Sequence, residues 1–470
     1  MRSRLYDRPN GLSRREFLRL TGAGLAGATL LGAAGCGGGG GTEKGKLRVA
    51  FFGSREVAQA QNALVPPFKE KVPEVKDVEF IPIQGTDWEE FFGKVLTQLA
   101  AGDPPDITFV ATEGTQLFAA EGIAVPLDEY VERDKREMSE YFSDVHPALV
   151  EATMYEGSLY ELPIDFNAAN MYYNVELLEE AGVGRPSPGW TKDDFYNLVS
   201  QWKNEEVAGY NWVNRLWGSW TPWMFNNGTN LLTEERAPGG SWLWDTFYGG
   251  DPAAEGRGGG WRWPEPNAND PANVEALQFM VDLQNEGIAP KPDLGGGDEL
   301  QGFFANGKIA MTPGGGFWAG GLQAAGMEKG TYDVQFFPEW KSQRHLFGTA
   351  GYMIMEQSSN KDLAWEFIKH LSSKESMNID LEGNVSTPTR KSMMTQQRYS
   401  STGPEHWEVF YDTLTKYPDT APIPSPPESN PMTTAFTRRT SEAVTGGKTP
   451  KEALDALQLD FEDLYAKREG

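Results

Sequence analysis

Aromatic rings set beside glycines and acids are the residues of this chain best suited to chemistry. Trp318, with Phe317 before it, lies in the glycine-rich run Gly314–Gly321. Glycines there let backbone come close to a ligand. Trp217, Trp220 and Trp223 recur three residues apart in Arg215–Asn227. At that spacing they share one helical face and read as core, or at least one is a stacking platform. Asp165, Phe166 and Asn167 interrupt an apolar, strand-like run with polar groups. Glu113 follows the strand-like segment Asp106–Ala111, at the end where α/β sheets bind ligands. Rings suit the CH faces of a sugar, and carboxyls and amides suit its hydroxyls. Blander readings stand beside these: Trp318 as core, Asp165 to Asn167 as partners of backbone groups, and Glu113 as a solvated acid at a helix start.

Covalent chemistry finds less support. The 470 residues include four His and one Cys, too few for a multi-histidine or cysteine-rich metal centre. No GxSxG elbow is present. A glycosidase needs two carboxyls roughly 5–10 Å apart, and no acid pair sits in a recognisable motif. Capture without reaction is therefore the first reading, with no enzyme activity, metal or cofactor expected. The second is an extracellular carbohydrate-active enzyme of the glycoside-hydrolase type.

The elements that must position these residues alternate. Leu47–Phe52 reads as a strand ending in Gly53-Ser54, Val57–Lys71 as a helix and Val78–Ile83 as a second strand. Trp88, Phe91, Phe92, Val95, Leu96 and Leu99 recur with helical period. Asp87 is the expected N-cap, with Glu90 three residues on. Gly102-Asp103-Pro104-Pro105 stops this helix. Alternating strands and helices predict an α/β sheet with parallel strands. Leu159–Asn174 reads as strand, Val175–Ala181 and Thr191–Trp202 as helices, and Ile309–Thr312, Tyr332–Phe337 and Tyr352–Met355 as strands. Residues 234–269, rich in Gly, Pro and Trp, read as a long surface loop or insertion. Some 430 residues beyond the N-terminal segment exceed one compact core, so two lobes are expected.

The N-terminus speaks to location. Ser13-Arg14-Arg15-Glu16-Phe17-Leu18-Arg19 precedes an apolar run and then Ala33-Ala34-Gly35-Cys36. It resembles a twin-arginine export signal, Arg14 and Arg15, joined to a lipoprotein box in which Cys36 takes the lipid. Gly37–Gly41 then forms a flexible spacer. The apolar run is about 15 residues, short of the 20 or so that a membrane span needs. The formal net charge of −25 becomes −29 once residues 1–35 are set aside. A body this acidic does not seek nucleic acid, whose phosphates call for Lys and Arg. An exported, lipid-anchored monomer on the outer face of the cell membrane or in the periplasm is expected.

Four segments, in order, resemble the extracellular solute-binding proteins of ABC importers, the family 1 sugar-binding group that includes maltose-binding protein. They are VLTQLAAGDPPDITFVATEGTQLFAAEGIAVPLDEYV (95–131), LYELPIDFNAANMYYNVELLEEAGV (159–183), FFANGKIAMTPGGGFWAGGL (303–322) and FGTAGYMIMEQSSNKDLAWEFIKHLSS (347–373). PTR at 388–390 and GGKTPKEALDAL at 446–457 extend the match. The resemblance implies an α/β, two-lobed, periplasmic-binding-protein-like fold of type II, hinge-connected, with the ligand between the lobes. Lobe 1 would hold 46–162 plus 336–374, and lobe 2 would hold 163–335 plus 375–470, after a signal over 1–35 and a tether over 36–45. Hinge passages would fall near Pro163–Asn170, near Val334–Pro338 and after Leu371. The resemblance also implies a ligand contact for Trp318 with Phe317, for Asn167 with Asp165 and Phe166, for Glu113, for Trp220 with Trp223, for backbone at Gly351-Tyr352, and for Trp88, Gly53 and Arg390. It implies a small-molecule solute, a sugar in the first instance, and a membrane permease as partner. The maltose-binding members carry an aromatic pair after an Ala-Phe in the tail. Here Thr437-Arg438-Arg439 follows Ala435-Phe436, which argues against maltodextrin as the ligand.

Overall fold

The computed structural model describes residues 43–85, 87–292 and 298–468. Arg14, Arg15, Cys36 and the glycine spacer lie outside the described residues. The chain opens with β1, Lys46–Phe52, which buries Leu47, Val49 and Ala50. Helix α1, Arg55–Gln61, begins at Ser54, whose hydroxyl accepts the Val57 N–H. β2, Asp77–Ile83, lies parallel to β1. Helix α2 spans Trp88–Ala100. The Asp87 carboxylate caps it, accepting the Glu90 N–H at 2.8 Å, and Phe91, Phe92, Val95, Leu96 and Leu99 form the buried face that the period predicts. β3, Ile107–Ala111, pairs parallel with β1 and runs straight into α3, Thr112–Ala120. Helices α4, Lys135–Asp144, and α5, Pro147–Ala152, bury Phe142 and Leu149 in one cluster with Leu47 and Val49 of β1. A small hairpin follows, β4 at Met154–Tyr155 and β5 at Ser158–Leu159.

β6, Leu162–Ala168, belongs to the first sheet; after the single residue Ala169, β7, Asn170–Asn174, belongs to another. Next come α6 (Lys192–Val199), β8 (Ala208–Tyr210), α7 (Thr221–Asn226), β9 (Glu235–Arg236), α8 (Ser241–Phe247), β10 (Trp261–Arg262), α9 (Pro271–Asn285), β11 (Ile309–Gly314), α10 (Trp318–Ala324) and β12 (Tyr332–Gln335); β9 and β10 pair with each other as a separate ribbon, while β7, β8, β11 and β12 form the second sheet. Its order is β12-β7-β11-β8. β13, Leu346–Ile354, returns to the first sheet, antiparallel to both β3 and β6. Helices α11, Lys361–Leu371, and α12, Lys374–Asp380, follow, then β14, Thr387–Pro388, and β15, Ala421–Pro422. The first sheet has seven strands, β14-β6-β13-β3-β1-β2 with β15 also on β13. The closing helices α13, Ser429–Val444, and α14, Pro450–Arg468, pack on α9 beside the second sheet.

The two largest cores divide chiefly between the sheets. Leu47, Phe68, Leu162 and Phe367 lie in one cluster; Phe195, Trp223, Leu277 and Phe461 lie in the other. Three expectations change. The return to lobe 2 after Leu371 falls later, because β14 still pairs with β6 through Thr387–Phe166 and β15 still pairs with β13. The sheet is parallel at β1, β2 and β3, but the strands beside the passage between lobes are antiparallel. Residues 234–269 are not a surface loop. Leu243 and Trp244 are buried in the first core while Trp261 and Trp263 are buried in the second, because four tryptophans carry more apolar area than a loop can leave in water.

Candidate functional site

The gap between the sheets is lined first by alternation along β6. Ile164 and Phe166 point into the core, where Phe166 meets Tyr411 edge-on at 5.4 Å. Asp165 and Asn167 point the other way and stay partly exposed. The Asn167 amide reaches across the gap. Its Oδ1 accepts the Phe317 N–H at 3.1 Å, and its Nδ2 donates to Ser386 Oγ at 3.0 Å. Gly316 sits so close to the first sheet that a Cβ there would lie 1.9 Å from Thr387 Oγ1.

Trp217 is the ring most directly placed in the gap. The turn Leu216–Trp220 is not a regular helix: Gly218 has φ 73 and Trp217 has ψ 129. That break turns Trp217 away from the face shared by Trp220 and Trp223. Trp217 stays partly exposed, and its ring lies 5.6 Å from the Phe317 ring. Its indole edge faces both sheets. A Cβ on Gly315 would be 2.9 Å from this ring, and one on Gly348 would be 3.0 Å from its Nε1. Arg215 donates from Nε to the Trp217 carbonyl at 3.1 Å, and its guanidinium carbon lies 5.6 Å from the Trp217 ring centre.

The first lobe answers with rings and acids. Phe52 at the end of β1, Trp88 at the start of α2 and Phe109 in β3 are all partly exposed. Trp88 lies 4.9 Å from Phe52 and 5.9 Å from Phe109. Gly53 follows Phe52, and its N–H donates to the Ile83 carbonyl at 3.2 Å. Next to Trp88 stands Glu89, whose field is shared with Glu113 and Arg215. Burial pushes the Glu113 carboxyl up to about 7; Glu89 adds to the rise, while Thr112 and Arg215 oppose it. Burial likewise raises Glu89, with Thr433 of α13 and Arg215 opposing. Ser429 Oγ at the start of α13 donates to the Glu113 carbonyl at 2.8 Å. Burial pushes Asp165 up to about 7, against a hydrogen bond from Ser386. Among the described residues, no group of three or more His, Cys, Asp or Glu is arranged to hold a metal.

Of the residues expected to meet a ligand, Glu113, Asp165, Asn167, Phe317, Trp88 and Gly53 border the gap. The others do not. Trp318 is 1 % exposed, packed between Tyr172 at 5.3 Å and Phe304 at 5.9 Å. The glycines around it admit Tyr172, Trp217 and Thr387 instead of a ligand. Trp220 and Trp223 are buried: Trp220 Nε1 donates to Asn214 Oδ1 at 2.7 Å, and Trp223 packs on Phe195 and Phe337. Phe166 is core, as the strand alternation requires. Gly351 is buried at a bulge, where a Cβ would lie 2.5 Å from the Leu162 carbonyl, and Tyr352 is buried against Phe109. Arg390 is buried on lobe 1, donating to the Ser372 carbonyl at 3.0 Å and pairing with Glu140 at 3.0 Å. Its charge is matched there and not at the gap. Trp217, grouped by its spacing with Trp220 and Trp223, parts from them and faces the gap, and Arg215, Glu89, Phe52 and Phe109 border it without a signal in the sequence. Gly218 was the available signal for Trp217, since a glycine inside a helical period often marks a break.

The chain belongs to the bacterial extracellular solute-binding proteins, whose family pattern matches residues 63–410. A chain named as a binding protein in Brucella abortus (strain 2308) is 22% identical over 334 residues, 67% of this chain and 70% of its own. The galactooligosaccharide-binding protein of Bacillus subtilis (strain 168) is 20% identical over 373 residues, 79% of each chain. An ABC substrate-binding protein of Listeria monocytogenes, solved with cycloalternan, superposes with a TM-score of 0.72 at 22% identity, covering 90% of this chain and 99% of its own. The fold is the two-lobed one of these solute-binding proteins.

Two predictions follow from the geometry. Trp318→Ala removes a core ring and is expected to cost about 3–5 kcal/mol of stability, measured by urea denaturation; a cost within experimental error of zero would place the ring outside the core. The second concerns Glu161, buried beside the gap with Thr115 Oγ1 donating to its Oε1 at 2.6 Å. Burial pushes its carboxyl up to about 8, against the bond from Thr115. The folded state therefore holds this proton more tightly than the unfolded chain. The resulting stability is complete below about pH 4.5 and is lost as pH rises towards 8. Buried His146 and His345, both lowered to about 3 by burial, act in the opposite sense. Comparing native chain with Glu161→Gln isolates the carboxyl. The melting temperature of Glu161→Gln relative to native is expected to climb steadily from pH 5 to pH 8; a constant difference would contradict the assignment.

Proposed function

We propose that this chain is the solute-binding lipoprotein of an ABC importer, and that it captures a sugar or oligosaccharide between its lobes for delivery to a membrane permease. The observation that carries the reading is the pairing of partly exposed rings on both sides of the gap with acids between them. Phe52, Trp88 and Phe109 stand on one lobe, Trp217 and Phe317 on the other, and Glu89 and Glu113 stand beside Arg215. Rings take the CH faces of a sugar and charged groups take its hydroxyls. A carboxyl held near neutrality, as at Glu113, either donates or accepts a hydrogen bond to a hydroxyl. The relatives support a saccharide: one is a galactooligosaccharide-binding protein and another is solved with cycloalternan. Closure would turn about the β6–β7 passage and the return into β13.

The remaining parts of the proposal concern the cell. Arg14 and Arg15 would direct export, Cys36 would carry the lipid, and the glycines after it would let a monomeric body reach its permease. Among the described residues, no helix is long and apolar enough to cross a membrane. No catalytic residue is assigned.

Titration of the purified chain with a panel including maltotriose and galacto-oligosaccharides, followed by tryptophan fluorescence, tests the reading. A saturable change with intact sugar is expected for at least one member. Trp217→Ala is expected to weaken that binding tenfold or more, about 1.4 kcal/mol, while the melting temperature stays near native. Unchanged affinity would remove Trp217 from the site, and sugar cleavage seen by mass spectrometry would replace capture with hydrolysis.

A further inference from the structure

We infer that residues 235–262 form a strap that pins the lobes to one another and limits how far they open. This stands independently of the solute's identity. The base of the strap is the ribbon of β9 and β10, which pair antiparallel through Arg236 and Trp261, and it is rooted in lobe 2 by its tryptophans. Trp261 and Trp263 are buried in the lobe 2 core, and Tyr465 of α14 donates to the Trp263 carbonyl at 2.7 Å. The tip, residues 237–260, lies on lobe 1. Leu243, Trp244 and Tyr248 are buried in the lobe 1 core. Phe247 stacks on Phe142 of α4 at 4.3 Å, and Tyr248 donates to the Val145 carbonyl at 3.0 Å.

Glu151 is the decisive group. It lies in α5 of lobe 1 and its side chain is 0% exposed. Both cations that match it come from the strap: Arg257 at 2.7 Å and Arg236 at 2.8 Å. The Gly258 N–H, also in the strap, donates to it at 2.9 Å. A buried carboxylate stripped of its partners is strongly unfavourable. Lifting the strap from lobe 1 would leave that state behind. Backbone contact reinforces the seat. Gly157 donates its N–H to the Gly259 carbonyl at 2.9 Å, and a Cβ on Gly259 would lie 2.4 Å from the Gly157 Cα. Glycines on both sides are what let the two backbones touch.

Chain passages alone would leave lobes like these free to hinge. A strap seated in both cores adds a second attachment, and wide opening requires it to unseat. The ligand-free protein then spends little of its time far from the closed arrangement, which lowers the conformational cost of capture.

Distance measurement between nitroxides tests this. Labels go on Val57→Cys of lobe 1 and Leu459→Cys of lobe 2, which are 45% and 65% exposed, in a chain carrying Cys36→Ser. Without ligand, the native strap is expected to give one narrow distance distribution. Glu151→Gln, and separately Gly259→Ala, are expected to add a longer-distance population while near-ultraviolet circular dichroism stays native. One shared distribution in native and both folded variants would overturn the strap. Should neither variant fold, hydrogen exchange on the native chain decides: slow exchange of the Gly258 amide supports the strap, and exchange at loop rates overturns it.

Discussion

Two sheets with separate cores must share one gap, and every polar group facing that gap has to be matched by water, by the opposite lobe or by a ligand. Burial without a partner is costly, so the gap sorts its residues. Asn167 finds its partners in Phe317 N–H and Ser386, and so ties the lobes at one side. Glu113 and Asp165 answer with proton affinity instead, each raised to about 7 by burial. Glu89 and Arg215 share their charge with Glu113. Rings stand partly exposed among these groups: Phe52, Trp88 and Phe109 on one lobe, Trp217 and Phe317 on the other. That combination of rings and polar groups is what the proposed sugar capture rests on.

The same constraint explains why small residues cluster where the lobes meet. Gly315, Gly316 and Gly348 leave no side chain where Trp217 and Thr387 pass. The strap meets lobe 1 on the same terms, with Gly157 against Gly259. In both places glycine permits contact between two bodies.

The inner face of α2 was legible because its five buried apolar residues obey one helical period and Asp87 caps it. The strand–helix alternation was legible for the same reason, and with it the α/β class and the family. Alternation also separates Phe166 from Asp165 and Asn167, yet all three were grouped by proximity in sequence. The spacing of Trp220 and Trp223 fits the core they occupy, while the ligand contact expected of them comes from the resemblance, and Gly218 breaks the shared face so that Trp217 alone leaves it. Trp318 was misjudged because a glycine-rich neighbourhood says that something comes close without saying what. Arg390 was drawn to the site by a motif, but Glu140 and Asp144 hold it elsewhere. β14 is two residues long, too short to carry a period. The strap has no period either, and its meaning lies in contacts with α4, α5 and α14 that are distant in sequence.

The central claim is that a saccharide lies between Trp88 and Trp217, against Glu89 and Glu113. A crystal structure of the purified chain soaked with the tightest-binding oligosaccharide of the panel tests this most directly. The account predicts electron density for a sugar ring within stacking distance of Trp217, with a hydroxyl in hydrogen-bond reach of Glu113. Sugar density confined to another surface, with the gap holding only water, would contradict it.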